Sequence, residues 1–122
     1  MFLNLSHHPS SFWSEAQRAA AQSIGGEIAD ECFPDVPPDA SADDIRRMAG
    51  ELVEIVVHRQ PLAVMVEGEF TLSFCTVTAL IAKGIPCYAA ATRRVVREEF
   101  DGASTKRSST FEFVRFRPYI VA

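Results

Sequence analysis

Cysteine is scarce: Cys32, Cys75 and Cys87 are odd in number and far apart in the 122-residue chain, which argues against a disulfide framework. Each falls in an apolar segment, as buried free thiols do, so a reduced, cytoplasmic protein is expected. There are only three histidines, and none stands at Cys/His spacing suited to a tetrahedral zinc set. No metal and no cofactor is expected. No apolar run approaches the about 18 residues of a membrane span. The opening MFLNLSHHPSS has no basic segment before its apolar residues, so a signal peptide is not expected either. There is no Walker loop and no G-x-G-x-x-G, which removes P-loop NTPases and NAD enzymes from consideration. Repeats and low-complexity stretches are also absent.

Positive charge is in deficit. The net charge is −4 and the pI about 5.3, against a general nucleic-acid coat protein, and no duplex nucleic acid is expected as partner. The imbalance is local, however. Residues 1–60 hold ten acids and four Lys/Arg, whereas residues 93–117 hold seven Lys/Arg and four acids. The second stretch is either a solvated hairpin face or a basic patch for an anionic ligand.

With 48% apolar residues, 122 residues suffice for one domain, 1–122, with a core of its own. MFLNL (1–5) reads as a strand, ended by SHHPS. A helix is expected at about 11–23, capped by Ser10 or Ser11, with Phe12, Trp13, Ala16, Ala19, Ala20 and Ile24 at helical spacing, and Gly25-Gly26 stops it. EIADECF (27–33) is a second strand, followed by the proline-broken loop PDVPPDA. Ser41 and Asp44 make a capping pair for a second helix, whose apolar stripe is Ile45, Met48, Ala49, Leu52, Ile55 and Val56. LAVMV (62–66) is a continuous β-rich run, as in a central parallel strand. A third helix follows at about 70–83, closed by Gly84, and then a strand at 85–91. RRVVREEF and SSTFEFVRFRPY, joined through Asp101-Gly102, read as an antiparallel hairpin. The expected fold is α/β and Rossmann-like. A mostly parallel sheet of five or six strands is flanked by about three helices on both faces and ends in the C-terminal hairpin.

In such a sheet, ligands bind outside the carboxyl ends of the strands. Those ends are SHHPS, EGEFT and TRR. In the first, Ser6, His7, His8 and Ser10 precede a helix N-terminus, where backbone N–H groups favour an anion and a histidine can exchange protons. In the second, Gly68 permits a tight turn, Glu67 and Glu69 stand at the mouth, and Thr71 follows. Either acid can bond a ribose hydroxyl or an adenine amino group, act as a base, or merely suit the helix dipole. In the third, Thr92, Arg93 and Arg94 offer guanidinium groups to phosphate or decorate the hairpin. Cys75 and Cys87 read as core; Trp13, Phe111, Phe113 and Phe116 read as core or dimer interface rather than base-stacking platforms.

Four blocks, NLSHHPS with Trp13, VMVEGEFTLSF..V..L...GI, AAATRR and FEFVRFRPY, resemble the small Rossmann-type, CARF-related proteins encoded beside type III CRISPR systems. The resemblance spans nearly the whole chain as a pattern of short blocks. It implies binding of cyclic oligoadenylate, most simply cyclic tetra-adenylate, by a homodimer. In the ring nucleases it also implies metal-independent cleavage that switches off the antiviral signal. A ribose 2′-OH attacks the adjacent phosphate in line and leaves a 2′,3′-cyclic phosphate. His7 or His8 would then be acid or base, Arg93 or Arg94 a phosphate clamp, and Glu67 or Glu69 a ribose or adenine contact. Two alternatives stand beside cleavage: a sensor or sponge for the same ligand, and a Rossmann-like protein acting on another nucleotide or phosphate compound.

Overall fold

FLNLS forms β1 (Phe2–Ser6), and all five of its residues are buried. The computed structural model describes residues 1–122. After β1 come a single 3-10 turn (Ser10–Phe12), α1 (Glu15–Gly25), β2 (Ile28–Cys32), α2 (Ala42–Arg59), β3 (Ala63–Val66) and α3 (Phe70–Ala82). Two long strands, β4 (Cys87–Asp101) and β5 (Ser104–Pro118), complete the chain. All five strands lie in one sheet of order β2-β1-β3-β4-β5. β1 pairs in parallel with β2 and β3, β3 in parallel with β4, and β4 antiparallel with β5. The layout is consistent with a Rossmann-like sheet, and strand order reverses between β1 and β3. No helix is long and apolar enough to cross a membrane.

Successive side chains on a strand point to opposite faces, and the core divides accordingly. Leu3, Leu5, Val64 and Val66 point toward α2 and α3, whose Leu52, Val56, Leu72 and Leu80 complete the larger cluster. Phe2, Ala63 and Met65 point the other way, toward Ala21 of α1. One helix does not cover that face of a five-stranded sheet. Aromatic rings finish it: Phe116 stacks on Phe2 at 4.8 Å between centroids and on Phe113 at 4.9 Å, with Trp13 and Tyr88 around them.

A β-bulge makes this possible. Pairing shifts between Ala91 and Thr92, so that Ala91 opposes Arg115 and Thr92 opposes Phe113. Three residues apart, Phe113 and Phe116 would otherwise face opposite ways; the extra residue brings both rings to the α1 side.

Several expectations need correction. The first helix does not run from about 11. The Ser10–Phe12 turn ends at Trp13, whose backbone is extended, which swings the indole into the aromatic cluster. The α-helix then starts afresh after Ser14, whose hydroxyl accepts the Gln17 N–H at 3.2 Å. The strand expected at 85–91 and the hairpin strand at 93–98 are one continuous strand. Thr92, Arg93 and Arg94 therefore lie mid-strand and not in a strand-end loop, because the bulge bends β4 without breaking its ladder. Cys32 is exposed at the sheet edge, and Ile55 lies off the buried stripe of α2, 41% exposed. Phe111 is 71% exposed, outside the core. The second helix starts as read: Asp44 N–H meets Ser41 Oγ at 3.1 Å, and Ser41 N–H meets Asp44 Oδ2 at 2.9 Å.

Phe116→Ala should therefore lower unfolding free energy by about 3–5 kcal/mol, whereas Phe111→Ala should change it by less than about 0.5 kcal/mol. Urea denaturation of both variants checks the pair, and equal losses would contradict the assignment of Phe111 to the surface.

Candidate functional site

The SHHPS loop is held by a polar cluster rooted in the sheet. Asn4, 1% exposed between Leu3 and Leu5 of β1, faces its β2 partner Asp30. Its amide donates one hydrogen to Asp30 Oδ1 at 3.0 Å and the other to the His8 carbonyl at 2.7 Å. Ser6 Oγ lies 2.7 Å from Asn4 Oδ1 and accepts the His8 N–H at 3.1 Å. The Asp30 carboxylate takes the Ser10 N–H at 3.2 Å, and Arg18 donates to the Ser10 carbonyl at 2.6 Å. Every polar position of the Asn4 side chain is filled, as burial requires. Ser6 and Ser10, read as ligand contacts, are both buried and serve this scaffold.

The two histidines part company. His7 continues the odd-numbered face and meets the Phe33 ring edge-on at 5.8 Å between centroids. His8 continues the even-numbered face and lines a cleft on the α1 side of the sheet. That cleft, about 860 Å³, runs from Phe12, Trp13 and Gln17 across Ala90 and Thr92 to Phe111, Glu112 and Phe113, with Glu67 at its edge. Phe12 and Phe111 are 83% and 71% exposed, so two uncovered aromatic rings share the cleft with an imidazole and a carboxylate.

At the end of β3, the three EGE residues do three different things. Glu67 borders the large cleft and also a smaller one of about 220 Å³ on the α3 side, with Phe70, Ser73 and Tyr119. Gly68 is glycine for a packing reason: a Cβ there would lie 2.3 Å from the buried Phe33 ring. Glu69 caps α3. Its carboxylate accepts the Thr71 N–H at 2.7 Å and the Leu72 N–H at 3.0 Å, and the Thr71 hydroxyl also bonds it. These bonds, the Thr71 hydroxyl first, hold Glu69 below the usual carboxylate range. Glu69 and Thr71 thus satisfy each other and the helix terminus.

Arg93 and Arg94 lie on opposite faces of the hairpin. Arg94 shares the face of Thr92 and pairs across the strands with Phe111, just beyond the cleft; Arg93 pairs with Glu112 on the other face. Neither guanidinium lines the cleft. Burial pushes the Cys87 thiol up to about 11, so it remains a protonated core group at neutral pH. Tyr119 is raised by burial, then by the charges of Cys87 and Glu67, and its phenol is a hydrogen-bond donor beside the site. No three His, Cys, Asp or Glu side chains converge as metal ligands.

Asn4, Asp30, Gln17 and Tyr119 escaped the sequence reading, and Phe12 was read only as part of a helix stripe. For Asn4 a signal existed, a lone amide inside a buried strand. For the histidines, the odd-even alternation of β1 already separated them.

Residues 1–117 match a family described as "Uncharacterized protein MJ1673 family". The chain belongs to this family. No curated protein and no solved structure matches it. The match extends from β1 through Arg117 in β5 and so includes, in this MJ1673-family chain, the whole of the large cleft and the Glu69 cap.

The cap yields a pH test. Because the folded-state pKa of Glu69 is lowered, its contribution is present above the ordinary carboxylate range and lost as pH falls through the folded value. Wild type should melt above Glu69→Gln at pH 7, and the gap should shrink toward pH 3. A gap that stays constant between those pH values in thermal melts would exclude the carboxylate as the capping group.

Proposed function

We propose that this protein binds cyclic oligoadenylate, most simply cyclic tetra-adenylate, in the cleft over the carboxyl ends of β1 and β3, and opens the ring without a metal in the cytoplasm. The observation that carries the reading is the cleft itself, where exposed Phe12 and Phe111 flank His8 and Glu67. An adenine stacks on such rings, each base contributing about 1–3 kcal/mol. The Glu67 carboxylate accepts from an adenine amino group or a ribose hydroxyl. The place is also the one where strand order reverses, the usual ligand position in an open α/β sheet.

The reaction needs neither water nor cofactor. A ribose 2′-oxygen forms a bond to the adjacent phosphorus as the bond to the 5′-oxygen breaks. The 2′ proton leaves to a base and the 5′-oxygen gains one, giving a 2′,3′-cyclic phosphate and a 5′-hydroxyl. His8 is the group in the cleft suited to one of those transfers. The Asn4 amide donates to the His8 carbonyl and the His8 N–H donates to Ser6 Oγ, and these two bonds fix where its ring begins.

A second reading, sequestration without turnover, is favoured by one feature. Within a single chain, the Glu67 carboxylate borders the cleft and no Lys or Arg lines it, so the charge that develops on phosphate has no cation beside it.

Single-turnover cleavage of labelled cyclic tetra-adenylate in EDTA distinguishes these. His8→Ala should slow it by roughly 10²–10⁴-fold, while His7→Ala should stay near wild type. Wild-type binding with no product over hours would establish sequestration, and absence of binding would refute the proposal.

A further inference from the structure

Only Cys87 and Tyr88 of β4 pair with β3, yet pairing with β5 runs on to Asp101 and Ser104. The remainder is a two-stranded ribbon, and every residue from 96 to 112 in it is exposed. Directly opposed residues of an antiparallel pair share a face, and faces alternate along each strand. The pairing therefore sorts the side chains. One face continues the cleft, with Phe111, Phe113 and Phe116 and a single arginine, Arg94, beside them. The other face collects Arg93 and Arg97 from β4 with Arg115 and Arg117 from β5. The bulge is the cause: the extra residue that turns Phe113 and Phe116 to one side turns Arg115 and Arg117 to the other. All four of these arginines are exposed.

We infer that this arginine face is a second binding site, apart from the cleft, that holds the phosphate backbone of a single-stranded nucleic acid. Charge comes first. The face carries one carboxylate in this stretch, Glu112, which stands opposite Arg93 and lies 3.9 Å from Arg97. It offsets one of four cations. Arg115 and Arg117 form no ion pair. A patch of net positive charge on a chain of net charge −4 attracts a polyanion locally, where the whole molecule does not. The patch ends at Arg97, because Glu99 and Asp101 accompany Lys106 farther out.

Spacing selects the anion. Arg117 is level with Ala89 and Arg115 with Ala91; Arg93, Thr110 opposite Val95, and Arg97 follow outward. Each step is two residues, about 6.6 Å, and the row is about 26 Å long. A single strand with unstacked bases spaces its phosphates at close to twice the about 3.4 Å rise of a duplex strand. One phosphate then meets each step, four at a guanidinium and one at the Thr110 hydroxyl. Arginine takes phosphate through two parallel N–H bonds. An acidic extended peptide has a similar repeat, but it needs apolar contacts, and this face offers only half-buried Val95. No aromatic ring stands on the face to stack a base, so the strand is held without regard to its sequence.

The site does not depend on the activity proposed for the cleft. Its probe is a fluorescein-labelled oligouridylate of about 10 nucleotides, read by anisotropy with the full chain. Binding should have a Kd of roughly 10⁻⁵–10⁻⁴ M at about 50 mM salt, and a slope of log K against log salt near −2, for about three phosphates neutralised. Arg115→Ala with Arg117→Ala should weaken binding at least about tenfold and bring the slope to about −0.7, with an unchanged circular dichroism spectrum. Arg94→Ala, on the other face, should leave both values as in wild type, and oligocytidylate should bind as oligouridylate does. Absence of binding would overturn the inference, as would equal losses in the Arg94 and Arg115/Arg117 variants. Poly-glutamate of the same length binding as tightly would overturn the nucleic-acid assignment. Displacement of the oligonucleotide by cyclic tetra-adenylate would put the strand in the cleft and refute a separate site. If cyclic tetra-adenylate binds nowhere, the reading of the cleft fails while the oligonucleotide measurements still decide this one.

Discussion

A strand buried on both faces has no tolerance for an unpaired polar atom, and β1 carries an amide in its middle. Asn4 resolves this by spending every donor and acceptor on its surroundings: Asp30 across the sheet, Ser6 above it and the backbone of His8 beyond. The SHHPS loop therefore does not float over the sheet edge; it is tied to the most buried layer of the molecule. The position of His8 relative to Glu67 at the end of the neighbouring strand follows from that tie. So does the separation of the two histidines, one over Phe33 and the other in the cleft.

The second constraint is geometric. A sheet with two helices on one face and one on the other leaves part of a face bare. The chain fills it with aromatic side chains, and the bulge opposite Ala91 and Thr92 lets β5 present both Phe113 and Phe116 to it. The same face then runs outward as ribbon, where the rings are no longer covered. Core, cleft and ribbon are one continuous surface at three degrees of exposure.

Much of the fold was legible because its signals are local. The capping pair Ser41 and Asp44, the continuous run LAVMV and the glycine after α3 each name an element without reference to the rest. The end of the first parallel run was not legible, because RRVV is as β-prone as the strand before it and a bulge leaves no simple mark in composition. The cleft was legible at β1 and β3, where strand ends coincide with loops. Thr92 does line it, from mid-strand, but Arg93 and Arg94 do not: residues in the middle of a strand were read as its end. Serine, meanwhile, gives the same letter to a scaffold hydroxyl and to a ligand contact; only Asn4 and Asp30 assign Ser6 and Ser10 to the first.

Glu69 gives the start of α3 a resident anion. Helix N-termini after parallel strands are where nucleotide phosphates ordinarily settle, and here the Thr71 and Leu72 N–H groups are already occupied by a carboxylate on the same chain. A tethered group competes at an effective concentration in the millimolar range or above, so a ligand that relied on this terminus for its phosphate would first have to evict it. The first turn of α3 is thereby closed to an outside anion for as long as the Glu69 carboxylate stays in place.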